Sequence, residues 1–319
     1  MTATLIIIDC DPGIDDAIAI LAAFVSPELE ILGITPVCGN QPLERTVRNA
    51  LQICELGERS DIPVFVGGFR PLFRNPIYGQ FHGESGLGNT VLPDPIKKVE
   101  EKSAVDFLIE SCEAAATSGR KITLCTLGPL TNVAVALRMK PAIAEGIERI
   151  VMMGGAFREA GNRTMTSEFN ILADPHAAHI VFSTDIPIVA VSLDATHQVI
   201  LTPEHAEKFS GSAGRIAKPL GEMMAFWDRN DVRRYGSRGG PLHDPLVIAY
   251  VLAPHLFETQ KARVFVEYES ELCMGQTIAD WYGKSGEVPN VEIITKVDAK
   301  GVYDLFLDRL SRYALAEVR

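Results

Sequence analysis

The sequence contains no apolar run of the roughly 18 residues that a transmembrane helix requires, so we expect no segment to span a membrane. Positive charge is also scarce, because 30 lysines and arginines face 41 aspartates and glutamates, for a formal net charge of −11. This balance disfavours nucleic acid and anionic membranes as partners, since binding to phosphate requires a basic face. The opening residues MTATLIIIDCD lack the basic start of a signal peptide, and we expect a cytoplasmic protein.

The six cysteines form no C-x-x-C pair, and most of them lie in apolar segments, such as Cys125 in ITLCTLG. We expect them to be buried, reduced thiols. The chain also has no low-complexity tract, no internal repeat and no linker-like change of composition. A hydrophobic content of 47% over 319 residues is enough for a substantial core. We therefore expect a single domain over residues 1–319.

Short apolar segments alternate with amphipathic ones along the chain. TLIIID, residues 4–9, predicts a buried strand, and the apolar residues after Pro12 and Gly13 are spaced as on one helix face. The alternation continues through EILGITPVCGN, PLERTVRNALQICELG, PVFVGG, KITLCTLG, IERIVMMGG and IPIVAVSLDA. It predicts an α/β fold with a mostly parallel central sheet flanked by helices, and extra helices and strands towards the C-terminal third. In such sheets, ligands bind outside the carboxyl ends of the strands.

Four aspartates, Asp9, Asp11, Asp15 and Asp16, lie within eight residues between the first predicted strand and the first predicted helix. A helix N-terminus stabilises each negative charge by only about 0.3–1 kcal/mol, which cannot offset the repulsion among converging carboxylates. A hard divalent cation such as Ca²⁺ or Mg²⁺ can offset it, because these ions bind oxygen ligands. The alternative is that the acids only cap the helix in contact with solvent.

Two other kinds of acidic loop are partly similar to this one. An EF-hand requires glycine at its sixth position, glutamate at its twelfth and helices on both sides, whereas here a strand precedes the loop. The strand-D-x-D loop of haloacid-dehalogenase-type phosphatases is similar only as far as Asp11, because DPGIDD does not continue with the expected threonine or valine. A metal-dependent phosphatase would also need a basic or main-chain grip on phosphate, and the loop contains no basic residue.

Further motifs follow the acidic loop DCDPGIDDAIAI in order along the chain: VCGN, FHGESGLG, LGPLTN, VMMGGAF, Gly161–Asn162, SEFNILADPHAA and PLHDPLVIAYVLAP. Together they resemble the inosine–uridine nucleoside hydrolase family over most of the sequence. The resemblance implies a Rossmann-like nucleoside hydrolase fold and an enzyme in which water cleaves the bond between ribose C1′ and the nucleobase. It also implies a small-molecule ribonucleoside substrate and a homodimer or homotetramer.

The resemblance further implies a Ca²⁺ site. Its ligands would be the carboxylates of Asp11, Asp16 and Asp244 and the backbone carbonyl of Leu127. Asp11 would also be the general base for the attacking water, and His243 would donate a proton to the leaving base. Anionic groups suit this chemistry, because the transition state carries positive charge on the sugar.

The same resemblance assigns the ribose-binding side chains, most of which are amides or carboxylates. They are Asp15, Asn40 and Asn170 around the diol, Asn162 and Glu168 near the 5′-hydroxyl, and Met153 against the sugar. Because a site built to hydrogen-bond hydroxyls rejects sugars that lack them, we expect 2′-deoxynucleosides to be poor substrates. His82 could either contact the base or hold its own loop through a hydrogen bond.

The base would be covered by the segment MMAFWDRNDVRRYGSRGG, residues 223–240. Trp227 and Phe169 could stack on a purine and Tyr235 could hydrogen-bond the leaving group, although Trp227 could equally belong to a helix core. Pyrimidine-preferring relatives carry Thr, Gln and Tyr where this chain has Trp227, Asp231 and Tyr235, which favours a purine or broad preference over a strictly pyrimidine one. A non-catalytic nucleoside sensor is a further alternative, but a sensor has no use for Asp11 as a base.

Overall fold

Five of the predicted strand segments lie side by side in one sheet in the computed structural model, which describes residues 3–226 and 239–315. They are β1 (Thr4–Cys10), β2 (Leu29–Pro36), β3 (Ile122–Thr126), β4 (Ile147–Met153) and β5 (Ile188–Val191). Two further strands, β6 (Ile200–Leu201) and β7 (Gly240–Pro241), form a separate antiparallel pair. The C-terminal part adds β8 (Phe257–Val266), β9 (Thr277–Asp280) and β10 (Val291–Val297).

The main sheet has the order β2-β1-β3-β4-β5-β10-β8-β9. The neighbouring strands in the run β2-β1-β3-β4-β5-β10 are parallel. Strand β8 pairs with both β10 and β9 in the antiparallel sense. The prediction of a mostly parallel sheet with additional strands towards the C-terminus is therefore confirmed. Because the parallel strands share one direction, the loops after β1, β2, β3 and β4 meet at the same edge of the sheet.

Helices cover both faces of this sheet, as the sequence predicts. Their bounds are α1 (Ile14–Phe24), α2 (Leu43–Leu56), α3 (Ala104–Ser118), α4 (Thr131–Met139), α5 (Phe169–Ala173), α6 (Pro175–Phe182), α7 (Leu193–Thr196), α8 (Pro203–Ser212), α9 (Ala217–Phe226), α10 (Pro245–Leu252) and α11 (Ala299–Leu315). Alternate β1 side chains point to opposite faces, so that Ile6 and Ile8 pack with α1, α10 and α11 while Leu5 and Ile7 pack with α3, α4 and α6. Apolar layers on both faces explain why β1 is a continuous hydrophobic run.

The predicted strand at residues 63–68 is the one segment of the alternation that does not form a full strand. Only one parallel bridge is present there, between Ile34 and Val64. The segment still runs along β2, since the Phe65 N–H donates to the Ile34 carbonyl at 2.9 Å and the Gly67 N–H to the Pro36 carbonyl at 3.0 Å. A Cβ at Gly67 would lie only 2.3 Å from the Pro36 oxygen, so the backbone passes too close for a regular edge strand with side chains.

The cysteines match the expectation of buried thiols at five of their six positions. All six cysteines are free thiols, of which five are buried and Cys273 is half-buried. Within residues 3–226 and 239–315, no helix is both long and apolar enough to cross a membrane.

Candidate active site

The turn between β1 and α1 is built around the Asp16 side chain. Asp16 Oδ2 accepts a hydrogen bond from the Gly13 N–H at 2.8 Å, and Oδ1 accepts one from the Asp11 N–H at 3.2 Å. These bonds satisfy backbone donors at the start of α1, where no helical partner exists. The aspartate that the sequence predicts as a metal ligand thus also shapes the loop that carries the other acids.

Carboxylates from two distant parts of the chain converge at this turn. Asp15, Asp16 and Asp244, the last at the start of α10, each place one oxygen within 4.8 Å of the others. Burial is the main cause that raises the pKa of Asp15 and of Asp16 to about 6, and it raises the pKa of Asp244 well above its ordinary value. The neighbouring carboxylates add to the effect on Asp16 and Asp244. Three like charges held this close require a cation or bound protons.

Asp11 is fully buried beside this group, between two glycines. A Cβ would lie 2.0 Å from Asp11 Oδ2 if placed on Gly39, and 2.5 Å from Oδ1 if placed on Gly128. Asp11 Oδ2 accepts a hydrogen bond from the Asn40 N–H at 2.6 Å, whereas Oδ1 has no hydrogen-bond partner among the described residues. Burial, followed by the charge of Asp16, raises the pKa of Asp11 well above its usual range.

The donor set fits a hard divalent cation. Asp11 Oδ1 and Asp15 Oδ1 are buried oxygens without a hydrogen-bond partner in the described part of the chain, and such atoms are costly unless something binds them. Carboxylate and carbonyl oxygens are the ligands that Ca²⁺ and Mg²⁺ prefer. The structure groups Asp15, rather than Asp11, with Asp16 and Asp244. The assignment of Asp11 as a metal ligand and of Asp15 as a ribose ligand stays a prediction.

Asp9 supports this loop from behind, as expected from its position at the end of the strand. Its Oδ2 accepts hydrogen bonds from Thr35 Oγ1 at 2.6 Å and Asn132 Nδ2 at 2.8 Å. The Asn132 side chain in turn accepts a bond from the Gly68 N–H at 2.8 Å. Burial raises the pKa of Asp9 to about 7, although both hydrogen bonds lower it. Asp9 therefore connects β1, β2 and the start of α4.

A cleft lies next to the carboxylates, and eleven of the fifteen predicted site residues line it: Asp15, Asn40, His82, Leu127, Met153, Asn162, Glu168, Phe169, Asn170, His243 and Asp244. Asp11 and Asp16 are fully buried and do not form part of its lining. The two remaining predictions, Trp227 and Tyr235, lie outside the described residues. Residues separated by more than 200 positions in the sequence therefore share one cleft.

The side chains predicted to bind ribose are held in place by backbone groups. Glu168 Oε2 accepts hydrogen bonds from the N–H groups of Gly155 and Ile171, each at 3.2 Å, and burial raises the pKa of Glu168 to about 7. Asn162 Oδ1 accepts a bond from the Phe169 N–H at 3.0 Å. Such bonds orient the groups before a ligand binds.

Asn170 lies between two backbone carbonyls of the site. Its Nδ2 donates to the Leu127 carbonyl at 2.7 Å and to the Met153 carbonyl at 3.1 Å. Because a carbonyl oxygen has two lone pairs, the Leu127 oxygen can accept this bond and still serve as a ligand. The amide therefore links the ends of β3 and β4 at the cleft.

His82 caps the helix that carries the acidic loop. The Ile14 N–H donates to His82 Nδ1 at 3.1 Å, which assigns the proton of the neutral ring to Nε2. Burial lowers the pKa of His82 to about 4, so the ring is neutral at pH 7. The Asp15 carboxylate lies 3.7 Å from Nδ1. The loop-holding hydrogen bond is thus observed, and a contact with the base stays a prediction.

The structure adds lining residues that the sequence reasoning did not select: Gly79, Gln80, Phe81, Arg163, Gly240 and Pro241. Two of them adjoin a selected residue, as Phe81 does His82 and Arg163 does Asn162, and Pro241 lies within the motif that holds His243. Adjacency to a motif was the available signal. Whether a residue next to a motif points into a cleft depends on the conformation of its loop. Loop conformation produces no periodic pattern in the sequence.

The chain is similar to known proteins over nearly its whole length. A family model described as inosine-uridine preferring nucleoside hydrolase matches residues 6–304. The chain is 42% identical over 312 residues to the pyrimidine-specific ribonucleoside hydrolase RihA of Escherichia coli, covering 97% of this chain and 99% of that protein. The solved structure of a purine-preferring ribonucleoside hydrolase from Gardnerella vaginalis superposes with a TM-score of 0.90 at 33% identity, covering 98% and 99%. A plant nucleoside hydrolase superposes with a TM-score of 0.89 at 33% identity, covering 97% and 99%.

Proposed function

The chain belongs to the inosine-uridine preferring nucleoside hydrolase family and is a nucleoside hydrolase, and from this premise we propose how its own residues act. The reaction is hydrolysis of the N-glycosidic bond of ribonucleosides to ribose and free nucleobase. The observation that carries the proposal is the convergence of Asp15, Asp16 and Asp244 beside a cleft lined with amides and carboxylates. This arrangement stabilises the positive charge that develops on the sugar as the bond to the base breaks.

Asp11 is the general base of the proposal. Its Oδ2 is engaged by the Asn40 N–H, whereas Oδ1 has no hydrogen-bond partner among the described residues and can accept a proton from water. A bound cation would favour the ionised form of Asp11, which is the form that accepts a proton. Asp11, Asp16, Asp244 and the Leu127 carbonyl would hold Ca²⁺. When bound, this ion supplies a charge that orients the ribose diol and the attacking water.

The ribose is recognised by groups that the fold already orients. Asp15, Asn40 and Asn170 bind the diol in the proposal, and Asn162 and Glu168 bind the 5′-hydroxyl. Each of the five lines the cleft. Met153 is buried at the same cleft and packs against the sugar. Loss of one hydroxyl leaves buried polar groups unpaired, so discrimination against deoxyribose is strong.

His243 donates the proton to the leaving base, and the base preference is purine or broad. His243 lines the cleft beside Asp244, while Phe169 and His82 supply two further rings. The relatives support neither a strictly purine nor a strictly pyrimidine preference, since one is named pyrimidine-specific and another purine-preferring. Trp227 and Asp231 depart from the pyrimidine-preferring pattern, whereas Tyr235 agrees with it, and the two departures support the wider preference.

A turnover profile tests the proposal. Release of ribose is measured with inosine, adenosine, guanosine, uridine and cytidine, in Ca²⁺ and after treatment with a chelator. We expect activity on at least one purine nucleoside and loss of activity without divalent metal. With 2′-deoxyinosine as a further substrate, kcat/KM should be at least tenfold lower than with inosine. Activity on 4-nitrophenyl phosphate with none on nucleosides would refute the proposal, and activity on uridine and cytidine alone would refute the base preference.

A further inference from the structure

A hydroxyl next to the cleft contacts the histidine that donates the proton. We propose that Thr196 is a positioning residue whose hydroxyl sets the orientation of the His243 imidazole for protonation of the leaving base. The inference rests on the proposed role of His243. It concerns a residue that is fully buried, does not line the cleft and belongs to none of the motifs of the sequence analysis.

The contact lies at one specific ring atom. His243 Nδ1 is 3.0 Å from Thr196 Oγ1, which is hydrogen-bond distance. Because the two ring nitrogens lie on different edges of the imidazole, a bond at Nδ1 fixes the rotation of the ring and thereby the direction of Nε2. The hydrogen bond made by one nitrogen of a histidine ring commonly decides which nitrogen carries the proton. The Thr196 hydroxyl is in position to do so here.

The hydroxyl is presented by a rigid element. Thr196 ends α7, and Asp194 on the same helix accepts hydrogen bonds from the backbone N–H groups of Phe157 at 2.9 Å and Arg158 at 2.8 Å. The Leu193 N–H also donates to the Gly155 carbonyl at 2.9 Å. The short helix is therefore attached to the loop after β4, the loop that leads to the ribose-binding residues.

The backbone that precedes His243 is hydrogen-bonded to the segment that follows α7. β6 pairs with β7, and one step further the Leu242 N–H donates to the Val199 carbonyl at 2.9 Å. Thr196 lies three residues before Val199, and His243 directly follows Leu242. The antiparallel ladder thus sets the register in which the hydroxyl and the imidazole meet, and the contact does not depend on chance proximity of two loops.

The alternative role for Thr196 is packing alone, and two substitutions separate the roles. Thr196→Val keeps the shape of the side chain but removes the hydroxyl, and Thr196→Ser keeps the hydroxyl but removes a methyl group. Each variant is assayed with the best natural ribonucleoside and with 4-nitrophenyl β-D-ribofuranoside. The nitrophenolate leaves as a stable anion, so its departure does not need a proton from His243.

We expect Thr196→Val to lower kcat for the natural nucleoside by about three- to tenfold, the value of one hydrogen bond, with KM nearly unchanged. Turnover of the nitrophenyl riboside should stay within about twofold of the parent, and Thr196→Ser should restore the nucleoside activity. An equal fall with both substrates, or no fall with the nucleoside, would overturn the inference. If Thr196→Val does not fold, Thr196→Ala replaces it under the same criteria.

His243→Ala separates this inference from the proposed function. A fall of about 10²–10⁴ in nucleoside turnover, with the nitrophenyl riboside little affected, establishes His243 as the leaving-group acid. If that result holds while Thr196→Val is fully active on nucleosides, the inference is refuted and the proposed function stands. If His243→Ala turns over nucleosides normally, the proposed role of His243 is refuted, and the inference fails with it.

Discussion

Adding Ca²⁺ should raise the melting temperature of the protein, and the increase should be larger at pH 8 than at pH 5. The reason is the group of buried carboxylates of Asp15, Asp16 and Asp244, whose oxygens lie within 4.8 Å of one another. At low pH, protons neutralise this group, and at high pH only a cation can. The size of each effect follows from the pKa values and the length of the chain.

The metal-free protein should lose stability as the pH rises. Burial, with repulsion from Asp15, raises the pKa of Asp16 from 3.8 to about 6. The folded state therefore binds more protons than the unfolded state between about pH 4 and pH 6, and its stability falls through that window. A shift of this size corresponds to a loss on the order of 3 kcal/mol from this carboxylate. The raised pKa of Asp15 acts in the same direction.

Calcium should reverse this loss. A ligand that binds only the folded state contributes about 2.7 kcal/mol at a free concentration a hundredfold above its Kd. With an unfolding entropy of about 2.1 cal/mol/K per residue, a chain of 319 residues gains about 4 °C from that amount. At pH 5, protons on Asp15 and Asp16 compete with the cation, so its affinity and the gain in melting temperature should be smaller.

Thermal unfolding followed by intrinsic fluorescence, in CaCl₂ or in EDTA at both pH values, measures these differences. Asp16→Asn should lose most of the calcium-dependent increase. Asp94→Asn is the matched control, because Asp94 is an exposed aspartate that pairs with Arg48 at the surface, and it should respond to Ca²⁺ like the parent. An equal increase at pH 5 and pH 8, or a full increase in Asp16→Asn, would refute the reasoning.

Three further predictions concern single residues. Asp11→Asn should lower kcat by about 10²–10⁴ with an unchanged circular dichroism spectrum, and near-normal turnover would exclude Asp11 as the base. Glu168→Gln should lower kcat/KM by about tenfold for the best nucleoside but less than threefold for its 5′-deoxy analogue, whereas equal losses would indicate an effect through the fold. Thr35→Val removes the 2.6 Å donor to buried Asp9 and should lower the free energy of unfolding by about 1–3 kcal/mol in urea titrations, against less than about 0.5 kcal/mol for Thr117→Val on the exposed side of α3. Equal losses in the two threonine variants would contradict the role assigned to Asp9.

Much of the candidate site could be predicted because it lies at strand ends. Asp11, Asn40, Leu127 and Met153 follow or end strands β1 to β4, and the parallel order of those strands brings them to one edge. His243 and Asp244 come instead from the chain before α10, where the rule for strand ends does not apply. Trp227 and Tyr235 stay predictions outside the described residues.

The sequence by itself determined the alternation of strands and helices, the parallel centre of the sheet and the acidic loop, because apolar periodicity and turn residues act locally. Only the tertiary structure decided that Asp15 joins Asp16 and Asp244, that residues 63–68 make one bridge, and that Thr196 meets His243. Those features depend on packing and hydrogen bonds between residues far apart in the chain. Their geometry is set when the helices and loops pack on the sheet, and it cannot be predicted from local sequence patterns.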